Sequence, residues 1–399
     1  MERIIFHIDV NSAFLSWEAV HLLHHRGFEP DLREVPSAVG GDRALRRGII
    51  LAKSIPAKRC GIQTGEAIFQ AKQKCPGLLL VPPDYHLYER CSEAFIRILR
   101  GYSELVEQYS VDEAFVDMTD TCHLFGTPVQ AAQQIKERIR EELGFTVNIG
   151  VSENKLLAKM ASDFLKPDRV HTLFRDEIPE KLWPLPVSEL FFVGRATAKK
   201  LFSVGIRTVK ELAAAEPAFL RSLLKKHGEV IWGFANGIDC SGVQTVPPAN
   251  KGYGNSTTTP SDLSEPQAAE TVLLALAETV AARLRADGVS AGLVSLGIRY
   301  SDFSFRSHQR VLQNATNLTR EIYEAACGLF AELWDGRPLR HLGIHTGRVC
   351  GSAERQLSLF DAADYEKLAC AERAADAIRR RFGQRAVMRA ALLKGGGLL

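Results

Sequence analysis

The chain has 399 residues, of which 50 are Lys or Arg, 47 are Asp or Glu and 46% are apolar. At roughly 100–200 residues per domain, this length predicts two to four domains. The near-average composition excludes a disordered, collagen-like or coiled-coil protein, and no apolar run reaches the roughly 18–20 residues of a membrane span. The formal charge of +3 is too small to decide for or against a nucleic-acid partner.

The first residues and the cysteines both favour a cytoplasmic protein. The opening MERIIFHIDV carries an acid and a base and reaches Asp9 early, which is not the pattern of a signal peptide. The cysteines are scattered and form no C-x-x-C pair, so neither a disulfide framework nor a zinc ribbon is expected. A reducing cytoplasm fits this usage.

The first half of the chain predicts a mixed α/β region. Residues 3–8 form a short, β-rich apolar run, which indicates a buried strand that ends at Asp9. Asn11 or Ser12 can cap the next helix, whose apolar residues recur at helical spacing. The later patterns predict helices over 88–105 and about 128–143, and strands over 109–118 and 146–151.

The second half predicts a helical region followed by a separate domain. Short helices with glycine hinges are expected over 173–240, and the next stretch, rich in Pro and Gly, is typical of a linker. The pattern after it has the order β-α-β-β-α-β of a ferredoxin-like split unit. Its predicted elements are a strand at 252–260, a helix at 265–286, strands at 292–300 and 304–312, a helix at 316–334 and a strand at 340–348.

Three acidic residues interrupt or end these apolar strands. Asp9 ends the first strand, and Asp112 and Glu113 lie inside a later one. Carboxylates beside a sheet are costly to bury unless they are paired or bind a metal. Adjacent strand residues point to opposite faces, so Asp112 and Glu113 share one site only if the chain turns there. The arrangement suits a pair of Mg²⁺ ions, and the alternative is that Asp112 and Glu113 only cap a turn.

The junction between the first strand and helix is a second candidate site. The free N–H groups and the positive dipole end at a helix N-terminus favour anions, so the amides of residues 12–14 could hold a triphosphate. The alternative is an ordinary capped helix.

Three motifs resemble those of the Y-family DNA polymerases, in their bacterial translesion branch. They are Ile8-Asp9-Val10-Asn11 with Phe14, YSVDEAF at 109–115, and GVSENKLLAKMASD at 150–163 followed by Lys166-Pro167. The resemblance covers about residues 3–350 and implies an α+β right-hand polymerase fold. The implied domains are a palm (1–12 and 83–173), small fingers (13–82), a helical thumb (174–241), a linker (242–251), a ferredoxin-like little finger (252–350) and a C-terminal tail (351–399).

The resemblance also implies the site residues. The catalytic carboxylates would be Asp9, Asp112 and Glu113, which with the backbone carbonyl of Val10 would bind two Mg²⁺ ions. Phe14 is at the steric-gate position, where a ring against the sugar C2′ excludes a 2′-hydroxyl. Its alternative is a core aromatic on the helix. The residues expected to bind the nucleotide are Ser12, Ala13, Phe14, Lys58 and Lys166, and the alternative for Lys166 is a solvated surface charge.

The fingers depart from the family pattern. Ile55 and Lys58 stand where the family often has a Tyr and an Arg that touch the triphosphate. Lysine keeps the charge but lacks the bidentate fork of arginine, and isoleucine offers no hydroxyl. Asn11 stands where some members have a second Asp, which is not a required ligand.

Two segments are expected to bind DNA. FVGRATAKKL at 192–201 resembles a helix-hairpin-helix, in which Gly194 lets backbone amides approach phosphate and Lys199 and Lys200 add charge. The alternative is a packing turn between two helices. In the little finger, Arg299, Arg306 and Arg310 are expected on a basic sheet face that lies on the duplex, and the alternative is a balanced solvated surface.

The segment QLSLF at 356–360 is similar to the peptide that binds the bacterial sliding clamp, its beta subunit. Leu359 and Phe360 would fill an apolar pocket, next to Leu357, and Gln356 would form a hydrogen bond at its rim. The alternative is that the segment begins the amphipathic helix predicted after it.

The resemblance thus implies a template-directed DNA polymerase that performs low-fidelity translesion synthesis. Its substrates would be primer–template DNA and deoxynucleoside triphosphates, and the protein would be a monomer that does not contact a membrane. One alternative is a catalytically weak or inactive relative that recruits DNA and the clamp. The other is a two-metal enzyme such as a nucleotide cyclase, which would leave the helix-hairpin-helix, the C-terminal domain and the clamp peptide without a purpose.

Overall fold

The computed structural model describes residues 3–27, 29–42, 46, 48–351 and 362–393. The chain divides into two compact units, Met1–Gly41 with Ile49–Pro247, and Asp42–Gly48 with Pro248–Leu399. The boundary at Pro247 lies in the segment predicted as a linker. The finer domain boundaries within the first unit stay predictions.

The first unit contains two sheets and a helical region. Its described strands are β1 (Ile5–Val10), β2 (Ser37–Gly40), β3 (Ile50–Lys53), β4 (Leu79–Val81), β5 (Val106–Gln108), β6 (Glu113–Asp117), β7 (Val147–Ser152) and β8 (Val170–Thr172). Its described α-helices are α1 (Ala13–Arg26), α2 (Ile55–Arg59), α3 (Ile68–Lys74), α4 (Tyr85–Arg100), α5 (Pro128–Leu143), α6 (Lys155–Ser162), α7 (Ile178–Lys181), α8 (Arg195–Ser203), α9 (Val209–Ala214), α10 (Pro217–Leu224) and α11 (Lys226–Ala235).

The larger sheet has the order β5-β6-β1-β7-β8, with β1 antiparallel to both β6 and β7. One face packs on α4 and α5, and Phe6 and Ile8 belong to that core. On the other face α6 packs against β1 and β7, and there Ile5 contacts Ala158. Because both faces are covered, β1 reads as a continuous apolar run, as the sequence predicted.

The strand expected over 109–118 is shorter than predicted. The chain instead forms a hairpin between β5 and β6, in which the N–H groups of Tyr109 and Ser110 both donate to the carbonyl of Glu113. The Ser110 hydroxyl also donates to Asp112, and this local bond favours a turn over an extended strand.

The smaller sheet, β3-β2-β4, lies beside α1. Leu15 and Ala19 on one side of α1 share a buried core with Val39 of β2, and Phe14 and Leu51 pack against the same core. This packing brings β3 to the start of α1. The helices after β8 form a third core of their own, in agreement with the short helices predicted there.

The second unit confirms the predicted β-α-β-β-α-β order. Its described elements are β9 (Tyr253–Leu263), α12 (Pro266–Ala286), β10 (Ser290–Tyr300), β11 (Phe305–Thr316), α13 (Thr319–Leu333), β12 (Leu339–Cys350), α14 (Ala362–Phe382) and α15 (Ala390–Leu393). The strands form an antiparallel sheet in the order β11-β10-β12-β9, with α12 and α13 packed on one face. In the described part of the chain, no helix combines the length and the hydrophobicity needed to cross a membrane.

Candidate active site

Three acidic residues meet at one end of the larger sheet. Asp9 on β1 is the direct cross-strand partner of Glu113 on β6, and such partners have Cβ atoms about 4.5–5.5 Å apart. The N–H of Val10 donates to the carbonyl of Asp112 at 3.0 Å, and Ser110 Oγ donates to Asp112 Oδ1 at 2.7 Å. The β5–β6 turn is therefore what allows two adjacent acids to approach the same strand end.

Two lysines and a buried histidine surround these carboxylates. Lys166 Nζ lies 3.0 Å from Asp9 Oδ1, and Lys159 Nζ lies 2.7 Å from Glu113 Oε2. His7 Nε2 is 3.5 Å from Glu113 Oε2, at the outer limit of a hydrogen bond. His7 and Asp9 share a strand face because they are two residues apart, and sequence reasoning missed both His7 and Lys159.

The two carboxylates differ in their electrostatics. Burial raises the pKa of Asp9 to about 7, although Lys166 acts in the opposite direction. Burial also opposes ionisation of Glu113, but His7 and Lys159 beside it outweigh burial and hold its pKa at about 2. At Asp9, burial thus outweighs the positive charge of Lys166.

The residues at this strand end fit divalent cations. Carboxylate and carbonyl oxygens are the ligands that Mg²⁺ prefers, and the undercompensated Asp9 would be stabilised by such an ion. Among the described residues, no three Asp, Glu, His or Cys side chains stand in metal-binding geometry. Asp9 and Glu113 are oriented toward the lysines instead.

A cavity of about 250 Å³ opens beside these acids. Its described lining residues are Asp9, Val10, Ser12, Ala13, Phe14, Leu51, Ala52, Lys53, Thr64 and Asp112. The structure therefore brings the start of α1, two of the acids and strand β3 to one space. Lys166 reaches the same strand end through its contact with Asp9.

Phe14 is both a packed aromatic and a wall of this cavity. Its ring stacks on Tyr88, with centroids 4.3 Å apart and planes 8° apart, and it lines the cavity with Asp9. The two readings offered for Phe14 by the sequence are thus compatible.

The start of α1 leaves backbone amides available. Ser12 adopts the left-handed conformation at φ 48°, which turns the chain from β1 into α1. Its side chain makes no capping hydrogen bond to the helix. The first-turn N–H groups therefore lack the usual bond from an N-cap side chain, and Ser12, Ala13 and Phe14 all line the cavity.

Lys58, expected to bind the nucleotide, is not among the described lining residues of this cavity, and its role stays a prediction. It lies exposed near the end of the short helix α2, and Ile55 at the start of α2 is also exposed. Lys53, five residues earlier, lines the cavity instead. No local pattern in the sequence marks Lys53, because its place at the cavity depends on the packing of β3 beside α1.

The hairpin predicted to grip DNA is open to solvent. Gly194 is the N-cap of α8, and a Cβ added there would have no heavy atom within 4 Å. Lys199 and Lys200 are exposed on the same helix. Their contact with DNA stays a prediction.

The three arginines of the little finger do not share a face, and that expectation is wrong. Arg306 and Arg310 are cross-strand partners of Ile298 and Val294, whose side chains are buried under the helices. They form ion pairs with Asp335 and Glu332 at the end of α13. Arg299 points to the opposite, open face, where its guanidinium lies 5.9 Å from the ring centroid of Phe305.

The four residues expected to bind the clamp, Gln356, Leu357, Leu359 and Phe360, lie outside the described residues. The amphipathic helix predicted after them is present as α14.

Comparison with known proteins identifies the family. Residues 8–163 match the impB/mucB/samB family, residues 250–359 match the C-terminal domain of that family, and residues 175–206 match its HHH motif. DNA polymerase IV of Clostridium acetobutylicum is 42% identical over 394 residues, which cover 99% of both chains. The chain belongs to the Y family of DNA polymerases.

Other comparisons agree. DNA polymerase IV of Acetivibrio thermocellus is 37% identical over 405 residues, covering 100% of this chain and 99% of the relative. A solved Y-family DNA polymerase chimera superposes with a TM-score of 0.75, at 21% identity, over 88% of this chain and 100% of its own. This Y-family protein therefore has the right-hand polymerase fold, and as a member of the family it is a DNA-directed DNA polymerase.

Proposed function

We propose that this translesion polymerase extends a primer 3′-end from the strand end that carries Asp9, Asp112 and Glu113. The observation that carries the proposal is the register of β1 and β6, which sets Asp9 opposite Glu113 and joins Val10 to Asp112. Buried acids need a paired or bound cation, and the raised pKa of Asp9 indicates that Lys166 alone does not offset its burial.

The proposed ligands of two Mg²⁺ ions are the three carboxylates and the Val10 carbonyl. When bound, such ions activate an attacking hydroxyl and neutralise the charge of a leaving pyrophosphate. Around them, Lys166 holds its ammonium at Asp9 and Asp163, where it can bind the triphosphate. The uncapped amides of Ser12 and Ala13 add donors for phosphate oxygens.

Phe14 is proposed to select deoxynucleotides. Its ring is fixed from behind by Tyr88, so it cannot retreat from a 2′-hydroxyl without disturbing the stack. A rigid apolar wall next to C2′ rejects the extra oxygen by contact and by desolvation.

We propose that DNA is bound by residues outside the cavity. The open hairpin at Gly194, with Lys199 and Lys200, would bind the phosphate backbone without reading sequence. Arg299 would contact DNA from the open face of the little finger, whereas Arg306 and Arg310 are engaged with acids of their own domain.

We further propose that the protein is a cytoplasmic monomer that does not contact a membrane. We also propose that it binds the beta-subunit clamp through residues 356–360. A small fingers segment makes an open site. Such a site favours synthesis across damaged bases at low fidelity, and it binds primer–template DNA weakly. A clamp tether would raise the effective concentration of the enzyme at the primer end.

An inactive recruitment module is disfavoured because the three carboxylates are retained at one strand end. Primer extension on undamaged and lesion-bearing templates tests the choice, with Mg²⁺ present and absent. The polymerase proposal expects extension on both templates only with Mg²⁺. Duplex binding without any extension would support the module instead.

A further inference from the structure

A lysine of the fingers segment, Lys53, lies in the same cavity as Asp9 and Phe14. It is the last residue of β3, and the period of two along a strand places it on the same side as Leu51. Leu51 also lines the cavity and packs with Phe14 against one small core. Lys53 is therefore part of the wall that β3 contributes to this cavity.

A threonine fixes the direction of this side chain. Lys53 Nζ donates a hydrogen bond of 3.0 Å to Thr64 Oγ1, and Thr64 lines the cavity too. Thr64 precedes Gly65, whose N–H donates to the carbonyl of Ile50 and joins this turn to β3. The strand and the turn together hold the ammonium at the cavity wall.

The charge of Lys53 has a neutral partner rather than an acidic one. Its hydrogen bond is to Thr64, and the nearby acid Glu66 is ion-paired with Lys74. Burial, and after it the charge of Lys58, lower the pKa of Lys53. An anion in the cavity would oppose both effects.

We infer that Lys53 binds the triphosphate of the incoming nucleotide and supplies a positive charge at the cavity lining itself. The inference rests on the proposed function, because it requires a nucleoside triphosphate there. Asp9 and Asp112 line the same cavity, and Mg²⁺ sites of this kind are completed by substrate phosphates. Ile55 and Lys58 are not among its described lining residues.

A lysine at this position strengthens binding of the triphosphate without fixing the orientation of its phosphate groups. Its ammonium is a compact point charge, whereas arginine would hold a phosphate in a planar fork. The contact is made equally in the ground state and during reaction, so its loss raises KM and leaves kcat nearly unchanged. A contact with phosphate is also the same for all four bases.

The test compares Lys53→Met with the matched variant Lys58→Met, in steady-state primer extension with each of the four deoxynucleotides. Lys53→Met is expected to raise KM about tenfold for all four, as for the loss of one charge-assisted contact, with kcat within about twofold of the wild type. Lys58→Met is expected to change KM less than about threefold. Lys53→Arg restores the charge and is expected to recover most of the affinity.

Three results would overturn the inference. The first is an unchanged KM in Lys53→Met, and the second is an equal rise of KM in Lys58→Met. The third is a rise of KM for one base alone, which would assign Lys53 to the base pair instead of the phosphates.

Two further measurements serve as controls. Thermal unfolding of each variant confirms that the fold is intact. Thr64→Val keeps the charge of Lys53 but removes its hydroxyl partner, and it should raise KM by a smaller factor.

Direct binding separates this inference from the proposed function. Fluorescently labelled dATP is titrated into wild type and Lys53→Met, each bound to a primer–template with a dideoxy end. A roughly tenfold weaker affinity in the variant supports the Lys53 contact, and equal affinity overturns it. A wild type that binds the nucleotide yet extends no primer overturns the proposed polymerase function alone, whereas a wild type that binds no nucleotide overturns both.

Discussion

Phe14 stacks face to face on Tyr88, with ring centroids 4.3 Å apart, and lines the same cavity as Asp9. The stack restricts the movement of the Phe14 ring. A restrained ring at the cavity is a candidate for selecting the sugar of the incoming nucleotide.

Replacing Phe14 by Ala should admit ribonucleotides. Removal of the ring opens space at the sugar, and the discrimination between dNTP and rNTP should fall by about 10–200-fold, the range for a group-sized change in a pocket. The ratio of kcat/KM values for the two substrates measures it. Tyr85→Ala is the control, because Tyr85 touches the Phe14 ring only at its edge, 6.3 Å between centroids. An unchanged ratio in Phe14→Ala would place the gate elsewhere.

Gly150 on β7 should not tolerate a side chain. A Cβ there would lie 1.9 Å from the carbonyl oxygen of Ala158 and 2.5 Å from the N–H nitrogen of Ser162, both backbone atoms of α6. Gly150→Ala should therefore destabilise the protein by about 1–3 kcal/mol or more, measured by denaturant unfolding. Gly77→Ala, where a Cβ meets nothing within 4 Å, is the control, and equal stability of the two variants would refute the close approach of α6 to the sheet.

The little finger offers a matched pair of arginines. Arg299→Ala should weaken primer–template binding and reduce its dependence on salt, because an open-face cation is lost. Arg306→Ala removes the exposed ion pair with Asp335, a hydrogen bond to the carbonyl of Leu333 and a contact with the Tyr300 ring. All three lie within the little finger, so DNA affinity should stay the same and stability should fall by about 1 kcal/mol. Fluorescence anisotropy at several salt concentrations tests this, and a larger DNA defect in Arg306→Ala would reverse the assignment of faces.

The proposed clamp peptide can be tested without touching the catalytic unit. Alanine at both Leu359 and Phe360 should abolish stimulation of primer extension by the bacterial clamp, since these side chains would be the apolar anchors. Extension without the clamp should be unchanged. Stimulation equal to that of the wild type would exclude this segment as the docking site.

Much of the fold followed from periodicity in the sequence. The helix predicted over 128–143 is α5, which begins at the capping box of Thr127 and Gln130 and ends at Gly144 in the left-handed conformation. The order β-α-β-β-α-β was also predicted correctly, since apolar residues recur at helical spacing in its helices, as Val272, Leu276 and Val280 do on α12. These signals depend only on neighbouring residues, so they can be recognised in a single sequence.

What the sequence could not supply was register. Whether Arg306 faces solvent or α13 depends on how the turn after Tyr300 aligns β10 with β11, and that alignment sets Arg299 opposite Phe305. A shift of one residue reverses every side chain on a strand. The lining of the cavity by Lys53 is likewise set by the packing of β3 on α1, which joins distant segments of the chain.

In the proposed function, Asp9, Asp112 and Glu113 act together as the metal-binding acids of polymerisation. The most direct measurement is primer extension and duplex binding by Asp112→Asn beside Asp120→Asn, an exposed acid just beyond β6. We expect Asp112→Asn to lose extension by on the order of a thousandfold, the equivalent of several kcal/mol of charge stabilisation, while it binds duplex DNA normally. We expect Asp120→Asn to behave like wild type. Extension by Asp112→Asn at the rate of the Asp120→Asn control would contradict the proposed function.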